Sequence, residues 1–281
     1  MVKRTQFVPW KTAGNKTESG LTADDVVRTT GWVFNNETGT ALTLGDFVAT
    51  GEKEVRRYMR QFELPGEKLA SQTLLEIGSG IGRMTAPFTR MCSQVVAADI
   101  DAAFLERCRE TVAKHGRPER LRTVHVADGR SLSLADQSVD VAFSYITLQH
   151  CERSDALSLT SEAVRVTRNG GRVVLNYRSW VPLDAALVPL GVLMRSLWKL
   201  PRIGKVLASM RWTTRLGWQA NRLGPDEVIA SLKASSAWSR VAKASVHHSP
   251  RLARKVQDAD VAVSPLKRVN RSHWWLSLEL K

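Results

Sequence analysis

The chain has 281 residues, of which 43 % are hydrophobic and 24 % charged. This composition is typical of a globular protein and excludes a disordered or collagen-like chain. Lys and Arg number 41 against 27 Asp and Glu, but the excess is uneven. Residues 1–164 hold 20 basic and 21 acidic side chains, whereas residues 165–281 hold 21 and 6. The net charge of +14 therefore belongs to the C-terminal part.

The cysteine content and the N-terminal residues indicate the cellular compartment. Cys92, Cys108 and Cys151 are an odd number without Cys-x-x-Cys spacing, which argues against a disulfide framework or a zinc cluster. No apolar signal-peptide core follows Met1, and no run approaches the roughly 18 apolar residues of a spanning helix. We expect a cytoplasmic protein without a metal site.

The first predicted element is an amphipathic helix over residues 46–62, which Pro65 and Gly66 terminate. Short apolar runs then alternate with helical segments, as in parallel strands joined by crossovers. Strands are predicted at residues 73–77, 95–98, 124–127, 139–143 and 172–176, and helices at 83–91, 102–115 and 157–167. The strands are almost continuously apolar because a parallel sheet is covered on both faces. This pattern indicates a doubly wound α/β domain.

The alternation stops at Trp180. Two apolar helices are predicted there, one starting after Pro189 and one after Pro201, and together they form a lid over residues 180–222. Basic residues flank the apolar positions: Lys199, Arg202, Lys205, Arg211 and Arg215. Tryptophans at 180, 198, 212 and 218 are expected in a pocket lining or in the core. A helix at residues 225–234 and strands at 239–246 and 273–280 follow.

The chemistry-bearing residues follow three predicted strands. The first strand runs into Gly78-Ser79-Gly80-Ile81-Gly82, where glycines permit positive φ and close approach of a ligand to the backbone. Arg83 comes next, which departs from the dinucleotide fingerprint Gly-x-Gly-x-x-Gly. Asp99 ends the second strand and can accept both hydroxyls of a ribose. Asp128-Gly129 end the third, either as an adenine-binding pair or as a simple turn.

These motifs resemble those of class I S-adenosylmethionine-dependent methyltransferases, in particular the small-molecule, type 11-like branch. Residues 136–144 and 165–172 extend the resemblance, with Asn169-Gly170-Gly171 where Pro-Gly-Gly is usual. The resemblance implies a Rossmann-like, mostly parallel sheet of seven strands in the order 3-2-1-4-5-7-6. It also implies S-adenosylmethionine as the cofactor.

Four regions are expected from the elements and the resemblance together. Residues 1–70 form an N-terminal arm and cap helix, and residues 71–179 the cofactor-binding core. Residues 180–222 form the helical lid. Residues 223–281 add a helix and an antiparallel strand pair that complete the sheet.

The resemblance also implies roles for individual residues. The cofactor-binding set is Glu76, Gly78, Ser79, Gly80, Gly82, Arg83, Asp99, Ile100, Asp128, Gly129 and Ser144. Within it, the glycine turn lines the methionine portion, Asp99 binds the ribose, Asp128 with Gly129 binds the adenine, and Ile100 packs on the ring. Arg83 either pairs with the cofactor's carboxylate or is an ordinary first-turn helix residue. Thr50 and Gly51 either close over that carboxylate or begin a helix.

His150 is the candidate general base, because it follows the fourth strand and can remove a hydroxyl proton at neutral pH. The alternative is a histidine hydrogen-bonded to the backbone behind the site. The substrate-contact candidates are Tyr145, Gln149, Tyr177 and Arg178.

The lid suggests the acceptor. Apolar helices with basic flanks predict a small or lipid-like acceptor, acidic, glycosylated or phosphorylated, met at a membrane surface and methylated at a hydroxyl oxygen. Alternatively, the lid packs on the domain and its charges are solvated. A nucleic-acid methyltransferase or binder would use the basic C-terminal part instead, and an inactive interaction protein is the third alternative. Missing Asn-Pro-Pro-aromatic and Pro-Cys or Thr-Cys motifs disfavour nucleic-acid methylation. Oligomeric state is not predicted.

Overall fold

The computed structural model describes residues 21–34, 43–64, 66–198, 200, 203–209, 213, 216, 221–248, 256, 258–265 and 272–281. The predicted N-terminal arm at residues 1–20 lies outside this set. So do Trp212, Trp218 and the basic positions 199, 202, 211 and 215 of the predicted lid.

In the described part of the chain, one sheet of eight strands organises the fold, in the order β3-β2-β1-β4-β5-β8-β6-β7. Its strands are β1 (Thr73–Ile77), β2 (Gln94–Asp99), β3 (Leu121–His125), β4 (Val139–Ser144), β5 (Thr167–Arg178), β6 (Val241–His248), β7 (Val261–Pro265) and β8 (His273–Leu280). The first five strands pair in parallel, and β8 runs antiparallel between β5 and β6. The Rossmann-like, mostly parallel fold is confirmed.

The prediction of seven strands is wrong by one, because β7 pairs in parallel with β6 at the sheet edge. This strand has five residues and ends in Pro265. Proline has no N–H to donate, so a sequence ending in it indicates an edge strand or a loop equally well.

Helices cover both faces of the sheet and connect its strands. They are α1 (Ala23–Phe34), α2 (Leu44–Gln61), α3 (Gly66–Leu69), α4 (Thr85–Met91), α5 (Ala102–His115), α6 (Arg153–Val166), α7 (Asp184–Leu197), α8 (Ile203–Ser209) and α9 (Pro225–Lys233). Among the described residues, no helix is both long and apolar enough to cross a membrane.

Several element boundaries differ from the predictions by a few residues, and two of these differences have a clear physical reason. The third strand begins three residues earlier than predicted, at Leu121, because β3 is an edge strand with one exposed face and alternating burial. Helix α7 begins at Asp184, and Pro189 lies inside it and not before it. The Asp184 carboxylate accepts the N–H of Val181 and ion pairs, which fixes the start of the helix one turn earlier.

The core lies on both faces of the sheet, and β8 contributes to each. Trp274 stacks on Tyr177 at 4.6 Å within the cluster that includes α6 and α9. Trp275 packs against Tyr58 and Phe62 of the opposite cluster. The sheet is therefore anchored on both sides, and its carboxyl ends are held in fixed register.

Candidate active site

A cleft opens at the carboxyl ends of β1, β2 and β4, where the strand order reverses between β1 and β4. Such a switch point is where open α/β sheets bind ligands. Ten of the predicted site residues line this cleft: Glu76, Gly78, Ser79, Gly80, Arg83, Asp99, Ile100, Gly129, Tyr145 and His150. The structure thus brings together residues spread over 75 positions of the chain.

Gly78 begins the turn after β1 and has φ of +80°, which side chains rarely adopt. A Cβ there would lie 2.1 Å from the side chain of Thr147. The hydroxyl of Thr147 donates to the carbonyl oxygen of Gly78 at 3.3 Å. The two segments therefore approach each other only because Gly78 lacks a side chain, and the cleft is lined by bare backbone.

Asp99 stands at the end of β2 with both carboxylate oxygens engaged. Its Oδ2 accepts the N–H of Gly80 at 2.8 Å, and its Oδ1 accepts that of Asp101 at 2.9 Å. Burial raises the pKa of Asp99 to about 6, although these two hydrogen bonds lower it. A carboxylate oxygen has more than one lone-pair site, so Asp99 can accept further hydrogen bonds from the cleft.

Glu76 lies on β1 below the glycine turn and is fully buried. It accepts a hydrogen bond from the Thr85 hydroxyl at 2.6 Å. Burial raises the pKa of Glu76 to about 8, while the Thr85 hydroxyl and the charge of Arg83 lower it. A carboxylic acid is therefore present on the floor of the cleft at neutral pH, and a cationic ligand group would favour its ionised form.

Arg83 connects the glycine turn to α2. It ion pairs with Glu54 at 2.5 Å and donates to the Thr50 hydroxyl at 3.4 Å. Gly51 makes this approach possible, because a Cβ there would lie 2.2 Å from the carbonyl oxygen of Arg83. Helix α2 thus closes one side of the cleft, where Phe47 contributes to the lining.

Ile146 is the most strained residue of the cleft. Its φ is +56°, an outlier for a β-branched side chain. The preceding Tyr145 stacks on Trp275 at 5.5 Å. Strained backbone of this kind concentrates at functional sites.

His150 lies at the end of a short 3-10 turn, Leu148–His150, that follows β4. Its Nε2 is 3.2 Å from the Nε2 of Gln149. Asn221 supports the turn by donating to the carbonyl oxygens of Leu148 and Cys151, at 2.6 and 2.8 Å. The last residues of the predicted lid therefore hold the turn that carries His150 at the cleft.

The remaining predicted site residues do not line the cleft. Asp128 caps its own turn: burial raises its pKa, but hydrogen bonds from Ser131 and the N–H of Arg130 leave it lowered overall. Ser144 donates to the Ile77 carbonyl oxygen, Tyr177 bonds to Thr160, and Arg178 pairs with Asp184. Gly82 packs on Cys108, and Gln149 is buried beside His150. Cofactor and substrate contacts at these positions stay predictions.

Sequence reasoning missed several residues of the cleft region. Phe104, Ile146 and Thr147 line it, and Glu54 holds Arg83. Glu54 stands on a helix 29 positions before its partner, so no local motif could reveal it. Thr147 and Ile146 could have been found only by asking what packs on the first glycine.

Residues 75–175 match the protein family described as "Methyltransferase domain". A protein of Mycolicibacterium paratuberculosis described as an uncharacterized methyltransferase is 34 % identical over 116 residues, 41 % of this chain and 43 % of its own length. One from a Mycobacterium species is 37 % identical over 110 residues, 39 % of this chain and 40 % of its own length. The match spans less than half of either relative.

Solved structures share the fold over more of the chain. Magnesium protoporphyrin IX methyltransferase from Synechocystis, with bound SAH, superposes with a TM-score of 0.52 at 13 % identity, covering 91 % of this chain and 97 % of its own. The PH0226 protein from Pyrococcus horikoshii gives 0.52 at 15 % identity, covering 92 % and 99 %. At these identities the likeness shows a common architecture.

Proposed function

We propose that the chain transfers a methyl group from S-adenosylmethionine to a small-molecule acceptor, as the match of residues 75–175 to the methyltransferase-domain family supports. The observation that carries the proposal is the position of Asp99 beside the glycine turn. Its carboxylate accepts a hydrogen bond from the N–H of Gly80 at the switch point of the sheet.

The residues of the cleft fit this cofactor. Gly78 and Gly80 both have positive φ and line the cleft, so the turn presents backbone, and no side chain from these two positions, to a ligand. Asp99 would accept the ribose hydroxyls, and Ile100 would pack on the adenine. Glu76 in its ionised form would favour binding of the positively charged end of the cofactor. When bound, the cofactor supplies an electrophilic methyl group, so the protein mainly has to align an acceptor with it.

We propose a small or lipid-like acceptor that carries an acidic, glycosylated or phosphorylated group and is methylated at a hydroxyl oxygen. In support, His150 lines the cleft and follows β4, whereas Asp99 ends β2. A neutral imidazole there accepts the hydroxyl proton and leaves a more nucleophilic oxygen. The turn held by Asn221 fixes the ring's position for that transfer.

Calorimetric titration with S-adenosylmethionine tests the cofactor site. We expect Asp99→Asn to weaken binding roughly tenfold to a hundredfold, since hydrogen bonds to a charged group are lost. Asp136→Asn, an exposed carboxylate paired with Arg165, is the matched control and should bind normally. Unchanged affinity in Asp99→Asn, with the fold intact, would show that the ribose assignment is wrong.

Transfer from methyl-labelled S-adenosylmethionine to a cell extract, followed by mass identification of the product, tests the acceptor. We expect His150→Ala to lower the transfer rate on the order of a hundredfold at unchanged cofactor affinity. His115→Ala, at the end of α5, serves as the control. Near-normal transfer by His150→Ala would exclude a general base there, and label in RNA would overturn the small-molecule acceptor.

A further inference from the structure

The exposed apolar surface of the protein is concentrated in one segment. Among the described residues, every large apolar side chain that is strongly exposed lies between Trp180 and Val206. The full set is Trp180, Leu183, Leu190, Val192, Leu193, Leu200, Ile203 and Val206. Scattered exposed apolar residues are ordinary, but a contiguous group marks an interaction site.

Helix α7 shows why this surface needs a cover. Its inner side packs against the protein through Met194 and Gly191, whose Cβ would meet the Leu216 carbonyl oxygen at 2.6 Å. Its outer side presents Leu190 and Leu193, the latter 51 % exposed. The helix carries only two charged residues in 14. A helix that is apolar on all sides is stable when buried on all sides.

Helix α8 continues the same surface. Ile203 and Val206 are 55 % and 58 % exposed, and α8 contacts α7. Exposed apolar side chains are therefore present on both of these contacting helices.

The charge of the segment identifies what covers it. Residues 180–222 hold seven Lys and Arg and a single acidic residue, Asp184. Asp184 is fully buried and paired with Arg178 and Arg222, so it is not available to neutralise the other Lys and Arg residues of the segment. Apolar side chains among basic residues are the features of helices that lie in an anionic lipid interface.

Two other partners, a second copy of the chain and nucleic acid, fit this apolar and basic surface less well. A second copy of this chain would bring two strongly basic segments together and would repel. Nucleic acid would pair with the basic residues and leave the exposed leucines and isoleucine in water.

We infer that the outer faces of α7 and α8 dock the protein on an anionic lipid surface. Both ends of the segment are fixed next to the cleft. At one end Asp184 pairs with Arg178 of β5, and at the other Asn221 donates to the turn that carries His150. Docking therefore places the cleft at the lipid surface. The acceptor is an amphiphile drawn from that surface, a conclusion that rests on the proposed function, whereas the docking itself does not.

Co-sedimentation with vesicles tests the docking. The full chain is mixed with vesicles of phosphatidylcholine alone or of phosphatidylcholine with phosphatidylglycerol. We expect binding to the anionic vesicles, weaker binding to the neutral ones, and loss of binding as salt is raised. Failure to bind either kind of vesicle would overturn the inference, whatever the affinity for S-adenosylmethionine.

A pair of double variants separates the apolar face from the overall charge. Leu193→Glu with Ile203→Glu should lower vesicle binding roughly tenfold or more, because two inserted side chains are lost. Arg56→Gln with Arg117→Gln reduces the net charge equally at exposed positions outside the segment and should bind within about twofold. Circular dichroism and S-adenosylmethionine binding should be unchanged in both variants.

Light scattering identifies the rival occupant. A dimer in solution that Leu193→Glu with Ile203→Glu dissociates would show that a second copy covers the face, and would overturn lipid docking. Equal vesicle binding by this variant and the unmodified chain would also overturn lipid docking.

Discussion

The backbone N–H of Ile146 donates to the side-chain oxygen of Asn176 at 3.3 Å. Asn176 is buried on β5. Its Nδ2 donates to the Trp274 carbonyl oxygen at 3.1 Å, and its Oδ1 lies 3.2 Å from Nδ1 of His273. One side chain thus joins the strained turn after β4 to the neighbouring strand β8. The positive φ of Ile146 persists because Asn176 satisfies the N–H that this conformation turns inward.

We therefore expect Asn176→Ala to lower the free energy of unfolding by about 1–3 kcal/mol, because buried polar groups lose their partners. Asn169→Ala is the control on the same strand, since Asn169 is exposed where it bonds to Arg240. It should change the stability by no more than about 0.5 kcal/mol. Urea unfolding measures both, and equal effects would refute the role given to Asn176.

The buried acid Glu76 predicts how stability depends on pH. Its folded pKa of about 8 lies above the ordinary value of 4.5, so the folded state binds more protons between these values. Stability is therefore greatest at low pH within that window and falls as pH rises towards 8, by at most about 1.4 kcal/mol per pH unit for one proton.

Glu76→Gln should flatten this fall, most clearly between pH 6 and 8, where Asp99, with its pKa of about 6, is largely ionised already. Urea unfolding at several pH values provides the measurement, with Asp136→Asn as an exposed control. A Glu76→Gln profile as steep as that of the unmodified chain would contradict the prediction.

The close contact between Gly51 of α2 and Arg83 leaves no room for a side chain at position 51. Gly51→Ala places a Cβ 2.2 Å from the carbonyl oxygen of Arg83, so α2 must shift away from the glycine turn. We expect a loss of about 1–3 kcal/mol in unfolding free energy and weaker S-adenosylmethionine binding. Gly45→Ala on the same helix meets His115 at 3.5 Å and Thr43 at 3.7 Å, both ordinary contact distances, and should be neutral or slightly stabilising. Thermal unfolding and calorimetry compare the two.

Asp184 predicts the cost of leaving buried cations unpaired. Its Oδ1 accepts from Arg178 at 2.9 Å and from Arg222 at 3.0 Å, while its Oδ2 accepts from Val181. Asp184→Asn should lower the unfolding free energy by about 3–5 kcal/mol.

Asp226→Asn is the matched control, because Asp226 is also in the first turn of a helix but is exposed. It should cost no more than about 1 kcal/mol. Limited proteolysis should in addition cut Asp184→Asn faster within residues 180–222. Similar stability of the two variants would contradict the importance of this buried ion-pair cluster.

Much of the central sheet could be predicted because it depends on local patterns. The bounds of β1 and α5 follow directly from an apolar run and from a capped amphipathic stretch. The edge strands β3 and β7 were shifted or missed, since pairing on one side requires no continuous apolar run.

The site residues also fall into those that local patterns predict and those that depend on distant contacts. The glycine turn and Asp99 follow strand ends, and parallel strands bring their carboxyl ends to one edge. Glu54 with Arg83 and Asp184 with Arg222 are contacts between distant segments, which no local spacing encodes. The strain at Ile146 was hidden for a related reason, since it depends on Asn176, 30 residues further along.

The position of β8 also has a consequence for the order of folding. This strand is the last of the eight in chain order, yet it lies inside the sheet between β5 and β6. Trp274 and Trp275 then fill the clusters on its two faces. During synthesis, β6 and β7 can pair with each other, but no strand joins them to β5 until β8 leaves the ribosome, and neither cluster is complete. The native sheet is therefore assembled after translation of residue 280, through contacts of long sequence separation that form slowly.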